Sequence, residues 1–128
     1  MSTIDTSISA LNAFSTRAQV TANNIANVNT DGFKASRADL ETGYGGQGVQ
    51  VSSITQDTST GPMVQSLLPV EDPATGRIEA EYQWVEGSNT DLSREMVNLM
   101  TTERAYAANA ATIRTWDEMI GTVLDELV

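Results

Sequence analysis

The sequence predicts a mainly α fold, in which two long N- and C-terminal helices pair as an antiparallel coiled coil beside a small central β element. Both ends of the chain carry apolar residues at heptad spacing, the pattern of helices that pack along each other. Glycine, proline and short alternating stretches replace the heptads in between, as is typical of turns and strands. We therefore expect one domain in three segments, residues 1–34, 35–87 and 88–128.

The C-terminal segment predicts the longer helix, over residues 91–127. Apolar residues occupy every seventh position, at Leu92, Leu99, Tyr106, Ile113, Ile120 and Leu127. Further apolar residues widen this stripe: Met96, Ala110, Trp116, Met119, Val123 and Leu124. Such a helix is roughly 55 Å long at ~1.5 Å per residue, so a chain of this size needs a second long helix or other copies to cover it. Asp91 or Asn89 is expected to cap its first turn.

The N-terminal segment predicts a second helix over residues 4–28. Ile4, Leu11, Ala18 and Ile25 share one heptad position, and Ile8 and Phe14 lie beside it. The other faces are rich in Ser, Thr and Asn, which are mediocre helix formers, so we expect this helix to form fully only on docking. The run Asn27–Lys34 should end it, with Gly32 in the left-handed conformation.

The middle segment predicts two or three antiparallel strands. Val49–Ile54 alternates, Met63–Leu68 is a second candidate that Pro69 is expected to end, and Ile78–Trp84 alternates with one face expected to be buried. The run Gly43–Gly48 satisfies the G-x-G-x-x-G pattern, but no helix is predicted after it. A dinucleotide site needs that helix, so the run predicts a glycine loop.

Composition narrows the function classes. The formal charge is −10, from 17 acidic and 7 basic residues, which disfavours binding to nucleic acid or to an anionic membrane. No stretch approaches the length of a membrane span, and the first residues lack the pattern of a secretory signal. Cysteine and histidine are absent, so neither thiol nor imidazole chemistry is available. We expect no catalytic residues, cofactor or metal, and interpret the acidic pairs as solvated or inter-subunit surface.

Two groups of motifs at opposite ends resemble one known family. Near the N-terminus the motifs are Ala22–Asn27 and Thr30–Lys34; near the C-terminus they are Ser88–Leu92, Glu95–Val97, Arg104–Tyr106, Ala108–Asn109 and Asp117–Met119. These resemble the signatures of the bacterial flagellar axial family, which includes rod and hook proteins, and the short middle segment is similar to that of proximal-rod proteins. Two departures, at Thr90 and Glu103, leave open which rod paralogue the chain resembles.

The resemblance implies a structural subunit of the flagellar basal-body rod, which assembles by helical coiled-coil packing into the axial drive shaft. It implies other copies and other rod proteins as partners, and export by the flagellar type III apparatus into the periplasmic rod without a cleaved signal peptide. Neither a nucleic acid, a small-molecule substrate nor a membrane span is expected. The alternative is a cytosolic helical adaptor or a binding protein like a flagellar export chaperone.

The assembly interface is predicted from the heptad stripes and the motifs. Its expected residues are Ile4, Ile8, Leu11, Phe14, Ile25, Asn27, Leu92, Met96, Leu99, Arg104, Tyr106, Ile113, Trp116, Ile120 and Leu124. Tyr106 and Trp116 are candidate interface anchors, since aromatic residues are enriched at such sites, but they could instead pack against the first helix. We expect Arg94, Arg104 and Arg114 to pair with carboxylates of neighbouring copies.

Overall fold

A computed structural model describes residues 2–128 as two long helices and four strands. Helix α1 spans Thr3–Ala26 and helix α2 spans Leu92–Leu127. The strands are β1, Ser36–Thr42; β2, Val49–Gln56; β3, Met63–Glu71; and β4, Ile78–Glu86. Strands β1 and β2 pair as a first antiparallel hairpin, and β3 and β4 pair as a second. The glycine run of residues 43–48 forms the turn of the first hairpin, with a short 3₁₀ helix at Tyr44–Gly46.

The prediction of a mainly α fold built as a coiled coil is wrong. Strands of 7, 8, 9 and 9 residues form two separate two-stranded sheets, and the helices flank this β-rich centre. One cause is that β1, in which polar and apolar residues alternate, is absent from the strands predicted above. Another is that Pro69 was expected to end β3, whereas it lies within the strand opposite Ala80. A two-stranded sheet consists only of edge strands, where proline is tolerated.

Local hydrogen bonds explain where the helices begin and end. At the start of α1, the Ser2 hydroxyl accepts a hydrogen bond from the Asp5 N–H at 3.2 Å, and the Asp5 carboxylate accepts one from the Ser2 N–H at 3.3 Å. Asn27 caps the other end of α1, and Gly32 takes the expected left-handed conformation in the turn that follows. Of the two predicted caps of α2, Asp91 is the one used, and its carboxylate accepts a hydrogen bond from the Arg94 N–H.

Helix α1 packs against both α2 and the first hairpin, and the residues buried there are small or polar. The buried apolar residues of the described chain are Ala10, Ala13 and Ala38; the buried polar ones are Ser7, Thr21, Asn24, Ser88, Glu95 and Thr102. The heptad positions of α2 do not form the buried seam, since Leu92, Tyr106 and Ile120 remain 47%, 44% and 43% exposed. A straight α-helix drifts by about 20° per heptad, so one face cannot hold all six positions against a partner.

The second hairpin packs on neither helix to a comparable extent. Ile78, Tyr82 and Trp84 of β4 are 73%, 73% and 64% exposed, so the prediction that this face is buried is wrong for the single chain. Within residues 2–128, neither helix combines the length and apolar character that a bilayer span requires.

Candidate assembly surface and the junction of the motifs

Asn24 connects three elements that are distant in sequence. This α1 residue is 1% exposed. Its side-chain oxygen accepts a hydrogen bond from the Ser36 N–H at 2.9 Å, and its Nδ2 donates to the Ser36 carbonyl at 2.7 Å. The same Nδ2 donates to the Glu95 carboxylate of α2 at 3.1 Å. An amide can donate and accept at once, so one asparagine fixes β1 and α2 against α1.

Asn89 makes a second set of such bonds just before α2. Its side-chain oxygen accepts a hydrogen bond from the Ala35 N–H at 2.7 Å. Its Nδ2 donates to the carbonyls of Asp57 at 2.8 Å and Ser59 at 3.0 Å. The expected capping role is therefore replaced by a bridge, which fastens the segment after β2 to the segment before β1.

An ion pair between Lys34 and Glu86 completes this region. Lys34 also donates to the Ser59 carbonyl at 2.8 Å, and Glu86 accepts a second hydrogen bond from the Gly61 N–H at 2.9 Å. The hydrogen bond from Lys34 and, to a smaller extent, the one from the Gly61 N–H hold the pKa of Glu86 below its ordinary value. We call Asn24, Lys34, Glu86, Asn89 and Glu95 the junction.

Four of the five junction residues lie in the sequence motifs, and Glu86 lies close to one of them. Sequence reasoning did not identify the contacts that these residues make. Asn24 and Lys34 lie in the N-terminal motifs, and Asn89 and Glu95 in the C-terminal ones. Every buried side-chain polar atom of the described residues has a hydrogen-bond partner. In this part of the chain the motif residues therefore serve the fold of one molecule. Asn24 and Asn89 both lie in motifs rich in Asn, Ser and Thr, whose side chains often hydrogen-bond to backbone. This composition was the signal in the sequence that could have indicated the junction.

The predicted interface residues divide into two groups by exposure. Ile4, Leu11, Phe14, Ile25, Asn27, Leu99, Ile113 and Trp116 are half-buried within the single chain. Ile8, Leu92, Met96, Arg104, Tyr106, Ile120 and Leu124 are exposed. Asn27 bonds within its own helix end, where its Nδ2 donates to the Asn23 carbonyl at 2.9 Å. The exposed group stays available for contacts outside the chain.

Helix α2 extends well past α1. It has 36 residues against 24, a difference of about 18 Å at 1.5 Å per residue. Thr3, the first residue of α1, lies beside Trp116 and Met119. Beyond that point every residue of α2 is exposed, including Ile120 and Leu124. The apolar stripe of α2 therefore continues where α1 no longer accompanies it.

The second hairpin adds an apolar surface that sequence reasoning did not predict as exposed. In the antiparallel register Leu67 lies opposite Tyr82 and Gln65 opposite Trp84, so these side chains share one face of the hairpin. Leu67 is 53% exposed, and both aromatic residues are more exposed still. The alternation predicts this strand, but its apolar face is turned to solvent.

The arrangement of the described residues offers packing surfaces. Within residues 2–128, no group of three or more carboxylates is placed to hold a metal ion. The hydrogen bonds of the junction connect backbone and side chains of the same chain. What this geometry can do is hold two helices and two hairpins in a fixed relation while leaving apolar surface outside.

Comparisons with known proteins match both ends of the chain. The family model described as "Flagella basal body rod protein" matches residues 4–34, and that described as "Flagellar basal body rod FlgEFG protein C-terminal" matches residues 83–126. The first segment contains Asn24 and Lys34, and the second contains Glu86, Asn89 and Glu95. All five junction residues thus lie inside the matched segments.

Individual relatives agree with the family models. The flagellar basal-body rod protein FlgC of Bacillus subtilis is 33% identical, over 66% of this chain and 51% of its own length. FlgG of Agrobacterium fabrum is 40% identical, but the chain spans only 21% of it, and it spans 10% of the hook protein FlgE of Escherichia coli. FlgC of Borreliella burgdorferi is 31% identical over 96% of this chain and 94% of its own length. With near-complete coverage of that relative and both terminal models matched, the chain belongs to the flagellar basal-body rod protein family.

Proposed function

We propose that this rod protein is a structural subunit that completes its packing only in the assembled rod. In this proposal the exposed stripe of α2 contacts helices of neighbouring copies and of other rod proteins, as helical coiled-coil packing requires. The apolar face of the second hairpin contacts neighbours further from the axis. Contacts of this heterologous kind do not close on themselves and generate a tube.

The observation that carries the proposal is the surface that the single chain leaves exposed. Its accessible surface is 8850 Å². A compact monomer of 13.7 kDa is expected to expose about 6,600 Å². The excess, roughly 2,200 Å², is more than the ~1,600 Å² that a standard protein–protein interface buries in total.

The small interior supports the same conclusion. No large apolar side chain of the described residues is fully buried, and the buried apolar residues are three alanines. Because apolar burial is the dominant favourable term in folding, such an interior stabilises a single chain weakly. Burial of the exposed leucine, isoleucine and methionine side chains of α2 against neighbours would supply the additional stabilisation.

Family membership supports a flagellar location, and the finer location is part of the proposal. We infer a periplasmic rod position reached through the flagellar type III export apparatus. The relatives are named as rod and hook proteins, which supports a structural role without enzymatic activity, cofactor or small-molecule substrate. They do not favour the cytosolic adaptor or the chaperone-like alternative.

Two isoleucines of α2 provide the test. Ile113 is half-buried, whereas Ile120 is exposed beyond the reach of α1. Ile120→Asp should change the free energy of unfolding of the free chain by less than about 0.5 kcal/mol, as is usual for surface sites. It should nevertheless prevent incorporation of an epitope-tagged chain into isolated basal bodies, measured by immunoblot and electron microscopy. Ile113→Asp should destabilise the free chain and prevent incorporation as well.

Thr115→Asp is the matched control, because it places the same charge on an exposed polar position of the same helix. It should incorporate normally. Incorporation of Ile120→Asp at the level of this control would contradict the role of the α2 stripe. A tagged unmodified chain that stays in the cytosol would contradict the structural role as a whole and favour the adaptor.

A further inference from the structure

An open cleft of about 680 Å³ lies between α1, β1 and the first turns of α2. Arg17 of α1, Arg37 of β1 and Arg94 of α2 line it, together with the carboxylates of Asp39, Asp57 and Glu95. Cations and anions are mixed in this cleft, so what it can bind depends on which of these groups already have partners. We call it the arginine cleft.

The three carboxylates of the arginine cleft are engaged within the chain. Asp39 accepts hydrogen bonds from the Thr55 hydroxyl at 3.0 Å and from Arg37 Nε at 2.7 Å. Asp57 accepts one from the Ser59 N–H at 2.9 Å, and Glu95 is held by Asn24. Their capacity to attract a further cation is reduced accordingly.

Of the three guanidinium groups, that of Arg37 is paired with Asp39, whereas those of Arg17 and Arg94 are not engaged in this way. Among residues 2–128, neither Arg17 nor Arg94 forms an ion pair or a side-chain hydrogen bond. The Ser59 hydroxyl and N–H are the main causes that lower the pKa of Asp57, and the charge of Arg94 contributes least. Each guanidinium carries five N–H donors in a planar fork that suits carboxylates. The arginine cleft thus presents unused donors to an incoming acid.

Unpaired acids lie at the other end of the same long helix. Asp125 and Glu126 are exposed on the last turn of α2 and form no ion pair within the described residues. They follow Arg94 by about thirty residues, a separation of roughly 45 Å along a helix. The acids and the arginine cleft of one molecule therefore cannot meet, and a contact between them has to join two molecules.

We propose that the arginine cleft receives Asp125 and Glu126 of a second copy of this chain in a head-to-tail contact. The proposal rests on the assembly function above and names the charged contact that sets its direction. Copies that carry a charge of −10 repel one another. The few unpaired arginines reduce this repulsion most where they contact an acidic segment of a neighbouring copy. Because the two surfaces differ, each added copy leaves a new arginine cleft or a new acidic end free, and the contact propagates.

Engineered disulfides test this contact directly, since the chain has no cysteine of its own. Asn98 lines the arginine cleft, and Thr122 lies one turn before the acids on α2. The variant with Asn98→Cys and Thr122→Cys keeps every charge. After mild oxidation it should give a ladder of dimers, trimers and longer species on non-reducing gels. Each single-cysteine variant can give only dimers.

Charge substitutions in the same double-cysteine variant distinguish the specific contact of Asp125 and Glu126 from a general effect of net charge on association. Asp125→Lys with Glu126→Lys should reduce the ladder about tenfold, as loss of close charge pairs across an interface does. Asp117→Lys with Glu118→Lys makes the same change of net charge elsewhere on α2 and should leave the ladder in place. Adding Arg17→Glu and Arg94→Glu to the first set should restore it.

Absence of a ladder in the double-cysteine variant overturns the proposal. So does an equal effect of the two lysine pairs. Sedimentation of the unmodified chain distinguishes this failure from failure of the assembly function: association without a ladder leaves the subunit role standing and rejects the head-to-tail contact. A chain that neither cross-links nor enters the rod rejects both.

Discussion

Asn24 of α1 donates a hydrogen bond to Glu95 of α2, with 3.1 Å between Nδ2 and Oε2, although the two residues are 71 positions apart. Both are buried, and the same amide also pairs with the backbone N–H and carbonyl of Ser36. The contact between the two helices is thus fixed at this end by a polar group whose donors and acceptor all have partners. Polar contacts of this kind specify one arrangement because any shift leaves buried groups unpaired.

Replacing Asn24 with alanine should destabilise the free chain by about 2–4 kcal/mol, because it leaves a buried carboxylate and two backbone groups without partners. The measurement is urea unfolding followed by far-UV circular dichroism. Asn12→Ala is the matched control, since Asn12 is exposed on the same helix. A loss for Asn24→Ala no greater than that for the control would show that the junction does not hold the helices together.

The Lys34–Glu86 ion pair predicts a dependence of stability on pH. Its bonds from Lys34 and Gly61 depress the pKa of Glu86 below the ordinary value of 4.5. A group with a depressed pKa in the folded state contributes stability that is present above its unfolded pKa and lost as the pH falls through its folded pKa. The free energy of unfolding should therefore decrease on acidification below the ordinary glutamate range.

Glu86→Gln should remove this part of the pH dependence while it lowers stability at neutral pH. The measurement is a series of urea midpoints between about pH 3 and pH 7, a range that spans the carboxyl pKa values. Hydrogen bonds also lower the pKa values of Asp5, Asp39, Asp57 and Asp72, so some acid sensitivity should remain in the variant. Identical pH profiles for the two proteins would contradict the contribution of the ion pair.

The helices and the family resemblance could be predicted from sequence because their signals are local or patterned. Heptad spacing located α1 and α2, and the left-handed turn at Gly32 was expected from its flanking residues. The face by which the helices contact each other could not be predicted in this way. Apolar spacing indicated a seam through Leu92 and Ile120, whereas the buried positions of α2 are Glu95 and Thr102. Burial of such polar groups depends on partners far away in sequence.

The strands illustrate a different limit. Alternation in β4 predicted a strand correctly, but alternation alone does not reveal what covers its apolar face. Within residues 2–128, Tyr82 and Trp84 remain 73% and 64% exposed. Contact with the proposed rod neighbours would explain why β4 has an apolar face although the single chain leaves it exposed. The junction was missed because its members are spread over residues 24–95 and meet only in three dimensions.

Two glycines should respond to alanine in opposite ways. A Cβ at Gly61 would lie 2.4 Å from the Gly87 carbonyl oxygen and 3.1 Å from the Asn89 N atom, both of them backbone atoms. Gly61→Ala should therefore destabilise the chain by about 1–3 kcal/mol through forced backbone shifts. Gly121 lies inside α2, and a Cβ there meets nothing within 4 Å. Gly121→Ala should stabilise the helix by roughly 0.5–1 kcal/mol.

Thermal and urea unfolding of the two variants measure whether the free energy of unfolding falls for Gly61→Ala and rises for Gly121→Ala. Since Gly61 follows the segment that Asn89 bridges, and its N–H donates to Glu86, its variant should also lose native packing around the junction. Equal effects of the two substitutions would show that the close approach of backbone at Gly61 is not required.

Trp84 offers a direct report on the second hairpin during assembly. It is the more exposed of the two tryptophans, and the other, Trp116, is half-buried beside the start of α1. In a Trp116→Phe variant, the fluorescence of Trp84 should shift to shorter wavelength on assembly, because burial removes the indole from water. Aromatic residues of this kind are enriched at the buried centres of interfaces.

The reciprocal variant, Trp84→Phe, leaves Trp116 as the reporter and should show a smaller shift, since that indole is already half-buried in the free chain. Emission spectra of free and assembled protein at matched concentrations are the measurement. Assembly of the Trp116→Phe variant with no change in its spectrum would exclude the face of Trp84 from the contacts between subunits. The assembly surface would then be limited to the helices and the first hairpin.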